Sequence, residues 1–309
     1  MLMAQLIIAR AVHIASSILL TGIFTFDLVM FGRDRRHRSG DLHEVERRLF
    51  RLAVCGLITA FLSALLWFWL EVASMNGLSL TNAFSPTAWR TVLFETQFGR
   101  VWQLRLSVIA VVFTLVASGL AQDQVRRTLI LVLWLLSIVL LVSLVWIGHA
   151  AAASAQPLGV LGDALHLCAA GAWLGGLTPL AIFLRRTSVS SSLDKQAAPV
   201  LARFSTLSVC CVGVLFLSGI SNSWLLVGSI HALFTTPYGG FLLFKLTLFA
   251  ILVALGARNR FLVKAELPRA RANPDLLSQL RRNVLCEICL GVAVVAIVGC
   301  LGVTPPARH

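Results

Sequence analysis

Thr128–Gly148 reads TLILVLWLLSIVLLVSLVWIG, an apolar run without one charged residue. A helix needs about 20 such residues to cross the hydrocarbon core of a bilayer. A membrane β-barrel would show short alternating segments instead, and this run does not alternate. In lipid every backbone amide must find its partner internally, so the run reads as a transmembrane helix. Arg126 and Arg127 precede it, and His149 closes it in Gly148-His149-Ala150.

Seven further runs of this kind flank it, at about 4–31, 51–71, 101–121, 157–184, 203–228, 241–262 and 284–303. The whole composition agrees. The 309 residues are 58% hydrophobic and 13% charged, with a mean hydropathy of +0.87. A soluble chain is about 45–50% apolar and about 25% charged. The expected fold is an all-α integral membrane protein of eight transmembrane helices, with 1–309 as a single membrane domain. Long disorder is excluded by the apolar content, and a disulfide scaffold by cysteines that mostly lie inside apolar runs. The first run is too long for the h-region of a cleaved signal peptide, and the longest stretch between spans, 72–100, is too short for a soluble domain.

The net charge of +13 is unevenly spread. Arg33 to Arg51, Arg126 and Arg127, Arg185 to Arg203, and Arg258 to Arg282 hold most of the basic residues, all on one side of the spans. An excess of Lys and Arg marks cytoplasmic loops. Both termini are therefore expected to face outward, into the periplasm of a bacterium. The charge reads as an orientation signal and a contact with anionic lipid, not as a nucleic-acid surface.

The two halves echo each other, as pseudo-repeats 1–150 and 157–309. Arg10-Ala11-Val12-His13-Ile14 matches Asp163-Ala164-Leu165-His166-Leu167, and Gly22 and Gly175 follow at the same spacing. Leu52-Ala53-Val54-Cys55 matches Leu207-Ser208-Val209-Cys210. Leu93 to Gly99 matches Leu233 to Gly239, with Arg105 and Lys245 equally far beyond, and Gln124 to Arg127 matches Gln279 to Arg282. Four spans per half make the repeats parallel, related by a pseudo-two-fold along the membrane normal.

Ionisable groups inside spans are costly and mark function by default. His13 and His166 are repeat equivalents, each about nine residues or roughly 13 Å in from the outer end of its helix. The pseudo-symmetry would let the two imidazoles face each other. Asp163 lies three residues before His166 on the same helical face. Imidazole is the commonest metal ligand, and a carboxylate can ligate or orient it. His13, His149, His166 and Asp163 are thus the candidate metal ligands, with His231 in an outer loop as a weaker one. A buried His also serves simply as an interhelical hydrogen-bonding residue, and Arg10 with Asp163 can form an ion pair. Cys286 and Cys289 form a C-x-x-C with metal-binding potential, although membrane Cys more often packs as a small apolar residue. Four methionines are too few for a thioether ladder. Arg105 and Lys245 are expected to snorkel to the interface or to pair with Glu95 or Glu71. Trp67, Trp69, Trp102, Trp146 and Trp224 read as an interfacial belt. No ATP-binding or hydrolytic motif occurs, so an enzyme is not expected.

The segment from Asp163 to His166, running on to Gly171-Ala172-Trp173-Leu174-Gly175-Gly176-Leu177, comes with Gly148-His149-Ala150 before it. Arg203-Phe204-Ser205, Leu217-Ser218-Gly219, Thr236-Pro237-Tyr238-Gly239 with Lys245, and Thr304-Pro305-Pro306 follow. In this order the motifs resemble the copper resistance protein D (CopD) family over nearly the whole chain. The resemblance implies a multi-pass protein of the bacterial inner membrane that imports copper from periplasm to cytoplasm. It also implies a separate periplasmic CopC-like copper donor, and assigns copper to His13, His149, His166 and Asp163. Two rivals stand beside it. One is a b-type haem cytochrome with His13 and His166 as axial ligands and Arg105 or Lys245 at the propionates. The other is a membrane scaffold without metal.

Overall fold

The computed structural model describes residues 2–31, 40–118, 126–147, 157–187, 194–266 and 274–307. Ten α-helices appear among them: α1 (Leu2–Phe31), α2 (Gly40–Met75), α3 (Pro86–Glu95), α4 (Gln97–Ser118), α5 (Arg126–Val142), α6 (Pro157–Thr187), α7 (Asp194–Val227), α8 (Ile230–Thr235), α9 (Pro237–Glu266) and α10 (Pro274–Leu301). All but α3 and α8 are long and apolar enough to cross a membrane, with α5 completed by a 3-10 turn over Ser143–Ile147. No strand occurs among the described residues.

The helices outrun the apolar runs at their basic ends. α2 begins at Gly40, α7 at Asp194 and α10 at Pro274, so Arg47, Arg48, Arg51, Arg203, Arg281 and Arg282 lie on helices, not in loops. Hydropathy marks what lipid covers, whereas the backbone ladder continues into water wherever side chains support it. Glu44 supplies that support on α2. It pairs with Arg47 at 2.8 Å and Arg48 at 2.9 Å, one turn on, and with Arg186 of α6 at 2.7 Å. Prolines open α3, α6, α9 and α10, where the missing N–H is not needed. The 72–100 connection is likewise ordered. Trp89 donates to Ala83 O at 2.6 Å and Gln103 to Leu93 O at 2.7 Å, binding α3 over the end of α4.

α1 and α6 form the centre. In their apolar windows 61% and 67% of residues are buried, against 17% in α9. They cross at Gly22 and Gly175, where a Cβ on either would strike the other helix's backbone. Small residues allow such an approach in lipid, where association rests on packing and not on the hydrophobic effect. α1 carries a buried polar line of His13, Ser16, Ser17, Thr21 and Thr25. Thr21 donates to Ser137 O at 3.2 Å, and Trp134 of α5 donates to Thr25 Oγ1 at 3.0 Å. The outside is apolar, with Leu62, Phe113, Phe216, Leu217, Phe244 and Phe261 exposed as lipid-facing residues. Cys55, Cys210, Cys286 and Cys289 are exposed too.

Candidate functional site

His13 is wholly buried between α1, α2 and α4. Its Nδ1 lies 3.0 Å from Ala60 O and 3.0 Å from Ser63 Oγ. A carbonyl only accepts, so Nδ1 carries the proton and Nε2 is the acceptor. Arg105 fills that acceptor, with Nε at 3.2 Å and Nη2 at 2.5 Å. The same guanidinium donates through Nη1 to Leu140 O and to Ser143 Oγ, and through Nη2 to Ser17 Oγ at 3.3 Å.

Arg105 thus does not snorkel: it is wholly buried and reaches inward across α1 and α5. A carbonyl, two hydroxyls and an imidazole surround it, and the Trp102 ring lies 5.7 Å from Cζ. A planar, weakly hydrated guanidinium tolerates such a site better than an ammonium would. Trp67 and Trp102 close over His13 with ring centroids 5.7 and 5.5 Å away. Both are fully buried, so they are walls of this cluster and not part of an interfacial belt. Their N–H groups are spent internally, on Glu71 at 3.0 Å and Ala64 O at 3.2 Å. Trp146 and Trp224 are exposed, as a belt requires. Arg10 stacks over Trp67 at 4.9 Å and interacts with Glu71.

The corresponding residues of the second half make a different cluster. His166 Nδ1 lies 2.9 Å from Ser218 Oγ. Asp163, one turn earlier on α6, interacts with Asn222 of α7. Lys245 of α9 acts electrostatically on both Asp163 and His166, and Tyr238 lies within the field of Asp163. Gly219 of α7 lies beside the His166 ring: a Cβ there would stand in ordinary contact, 3.9 Å from Cε1. The helix starts also agree. Thr96 Oγ1 accepts from Gly99 N at 2.9 Å and Thr236 Oγ1 from Gly239 N at 3.1 Å, fixing where Arg105 and Lys245 project.

Asp163 and His166 are therefore brought into one cluster. The hydrogen bonds described for His13 and His166 run to different partners within their own halves. His149 lies outside the described residues. His231 is exposed on the short helix α8. Among the described residues no three His, Cys, Asp or Glu side chains converge as a metal site. Ser63, Ser218, Asn222 and the walls Trp67 and Trp102 were missed by sequence reasoning. The register that pairs Cys55 with Cys210 also pairs Ser63 with Ser218, so the two serines were within reach of it.

Comparison with known proteins gives two family matches. Copper resistance protein D matches residues 198–301, and the Copper resistance protein D-like N-terminal domain matches residues 1–160. Copper resistance protein D of Pseudomonas syringae pv. tomato is 28% identical over 292 residues, covering 91% of this chain and 92% of that protein. Copper transport protein CutJ of Bacillus subtilis (strain 168) is 27% identical over 261 residues, covering 83% of this chain and 46% of CutJ, so this chain matches less than half the length of that relative. Inner membrane protein YebZ of Escherichia coli (strain K12) is 28% identical over 263 residues, 84% of this chain and 86% of YebZ. No solved structure matches significantly.

Proposed function

The chain belongs to the copper resistance protein D family, and on that premise we propose that it carries copper across the bacterial inner membrane, from periplasm to cytoplasm. The carrying observation is the pair Asp163 and His166 on one face of α6, with the imidazole anchored through Nδ1 by Ser218 at 2.9 Å. That bond directs Nε2 to a metal, and the carboxylate one turn away supplies a second donor. Hydrogen-bonded ligands of this kind are how proteins orient an imidazole toward a metal. His149, at the end of the fourth span, is the third donor of the reading. His13 is not a ligand in this arrangement, because Arg105 occupies its Nε2. It sits instead at the head of the structural cluster that corresponds to the copper site.

The two halves are parallel repeats with both termini periplasmic. The matching His–Ser bonds, the Thr96 and Thr236 caps and the Gly22–Gly175 crossing support the repeat, and the basic helix ends support the orientation. The inner membrane is the compartment, as the relative YebZ is named for it. A separate periplasmic copper carrier delivers the metal to the outer end.

Metal analysis of detergent-purified protein tests the site. Wild type is expected to hold near-stoichiometric copper after loading, with no haem band in the visible spectrum, and Asp163→Asn/His166→Ala to lose the copper. Copper retained in full by that variant overturns the site, and no copper in wild type overturns the function. Ser218→Ala removes only the anchor of the ring. Copper affinity is then expected to fall by about 10–100-fold, the usual cost of losing an outer-shell partner, as measured by competition with a chelator of known affinity.

A further inference from the structure

A cavity of about 180 Å³ lies between α6, α7, α9 and α10, on the basic side of the bundle and away from His166. Its walls are mostly apolar, with Trp173, Leu177 and Phe204 among them. Glu287 of α10 opens onto it although only 2% of the residue is exposed. Asn259 of α9 donates to Glu287 Oε1 at 2.5 Å, and Asn283, one turn before Glu287, donates to Asn259 Oδ1 at 2.7 Å. An amide donor can bond to a carboxylate or to the carbonyl oxygen of a carboxylic acid. The bond from Asn259 is therefore kept in both protonation states.

The charged and titratable groups around it are few. α6 and α7 line the cavity with apolar residues and the hydroxyls of Ser205 and Ser208. α9 adds Arg260, the one other charged residue on the walls, and its Nη1 is turned to Ser205 Oγ at 2.8 Å. α10 also carries Arg281 and Arg282 toward its basic end, and Cys286 and Cys289 face outward.

A second cavity of about 440 Å³ shares Ser205, Arg260 and Val263 with the first and continues to Lys264 near the end of α9. A water needs two to four polar partners and roughly one probe sphere of space. The cavities exceed that space, and Ser205, Arg260 and Glu287 supply polar groups along their walls. The linings of the two cavities run from a membrane-embedded carboxyl group to the basic end of α9.

We propose that Glu287 is a proton-exchange site, reached by water from the basic end, whose loading and unloading is coupled to copper movement. In the loading step a hydronium in the cavity gives its proton to a Glu287 carboxylate oxygen. One O–H bond forms, one breaks, and a water remains. Unloading is the reverse. Intramembrane carboxyl groups of transporters serve as such relays. The coupling rests on the copper-transport reading above.

The test uses the full chain and Glu287→Gln, which keeps the shape and the hydrogen bond from Asn259. In detergent, the infrared difference spectrum between acidic and alkaline buffer should show a carboxyl band in wild type that the variant lacks. In proteoliposomes holding a copper-sensitive dye, a gradient of about one pH unit should change wild-type copper accumulation by about tenfold per coupled proton. The variant should respond to copper concentration alone and bind copper with wild-type stoichiometry. A missing band in wild type, or a band unchanged in the variant, overturns the proposal. So does wild-type copper flux indifferent to the gradient, which leaves copper transport standing. Absence of wild-type copper flux at every gradient overturns the transport reading itself and the coupling with it.

Discussion

Arg105→Ala is expected to cost the fold about 3 kcal/mol or more, since each buried polar group left without its partner costs about 1–3 kcal/mol. Four acceptors lose this donor: His13 Nε2, Leu140 O, Ser143 Oγ and Ser17 Oγ. Arg105 is the described side-chain donor to His13 Nε2, whereas Leu140 O still accepts from Ser143 Oγ at 2.8 Å. The space vacated lies between the buried Trp102, His13 and α5, and the two tryptophans cannot close the gap without leaving Ala64 and Glu71. Thermal unfolding in detergent, followed by the monodisperse fraction, measures the loss. Arg105→Lys keeps the charge but not the fork of donors, and should recover only part of it. His13→Ala in the Arg105→Ala background should add little, since the two residues act as one unit and couple by about 0.5–3 kcal/mol. A melting temperature for Arg105→Ala equal to wild type would show that the cluster carries no stability.

Gly175→Val is the second change with a large effect. A Cβ on Gly175 falls onto Ile18 O and the Gly22 backbone, and one on Gly22 falls onto Gly175. Overpacking against flexible side chains costs about 1–3 kcal/mol. Here the obstacle is backbone on the helix opposite, so relief requires α1 and α6 to separate. These are the two central helices, and their separation also breaks the contacts that each makes with its own half. No monodisperse protein is expected from Gly175→Val, nor from Gly22→Val. Gly213→Ala is the control. Gly213 has nothing within 4 Å of its missing Cβ, and Ala is favoured over Gly in a helix by about 1 kcal/mol, so that variant should be at least as stable as wild type. Equal yields from Gly175→Val and Gly213→Ala would refute the crossing.

Eight membrane-length helices were legible from the apolar runs, because crossing lipid imposes a length and a composition that few other structures share. The ends of those helices were not. α2 and α10 run about three turns beyond their apolar segments, since Glu44 and its arginines hold α2 in water where hydropathy carries no signal. The family was legible in the ordered motifs. Asp163 and His166 were legible as a pair because three residues along a helix is nearly one turn.

The fate of His13 was not legible. Its repeat position is the same as that of His166, and both have a serine on Nδ1 and a cation beyond. What separates them is non-local. A guanidinium is long and forked enough to reach Nε2, Leu140 and Ser143 together, and Trp67 and Trp102 close over the His13 ring. At the matching places of the second half stand Asn222, Leu242 and Lys245, which make no such seal. Glu287 is a similar case. As one acidic residue beside two cysteines it carries little meaning in the chain, and it gains one only when α9 brings Asn259 to it and four helices leave a cavity in front. The sequence by itself determined the membrane class, the number of membrane-length helices and the family resemblance, all of which follow from local composition and spacing. The tertiary structure decided which ionisable groups are sealed into a brace and which are only partly buried, because burial and hydrogen-bond partners are supplied by helices far apart in the chain.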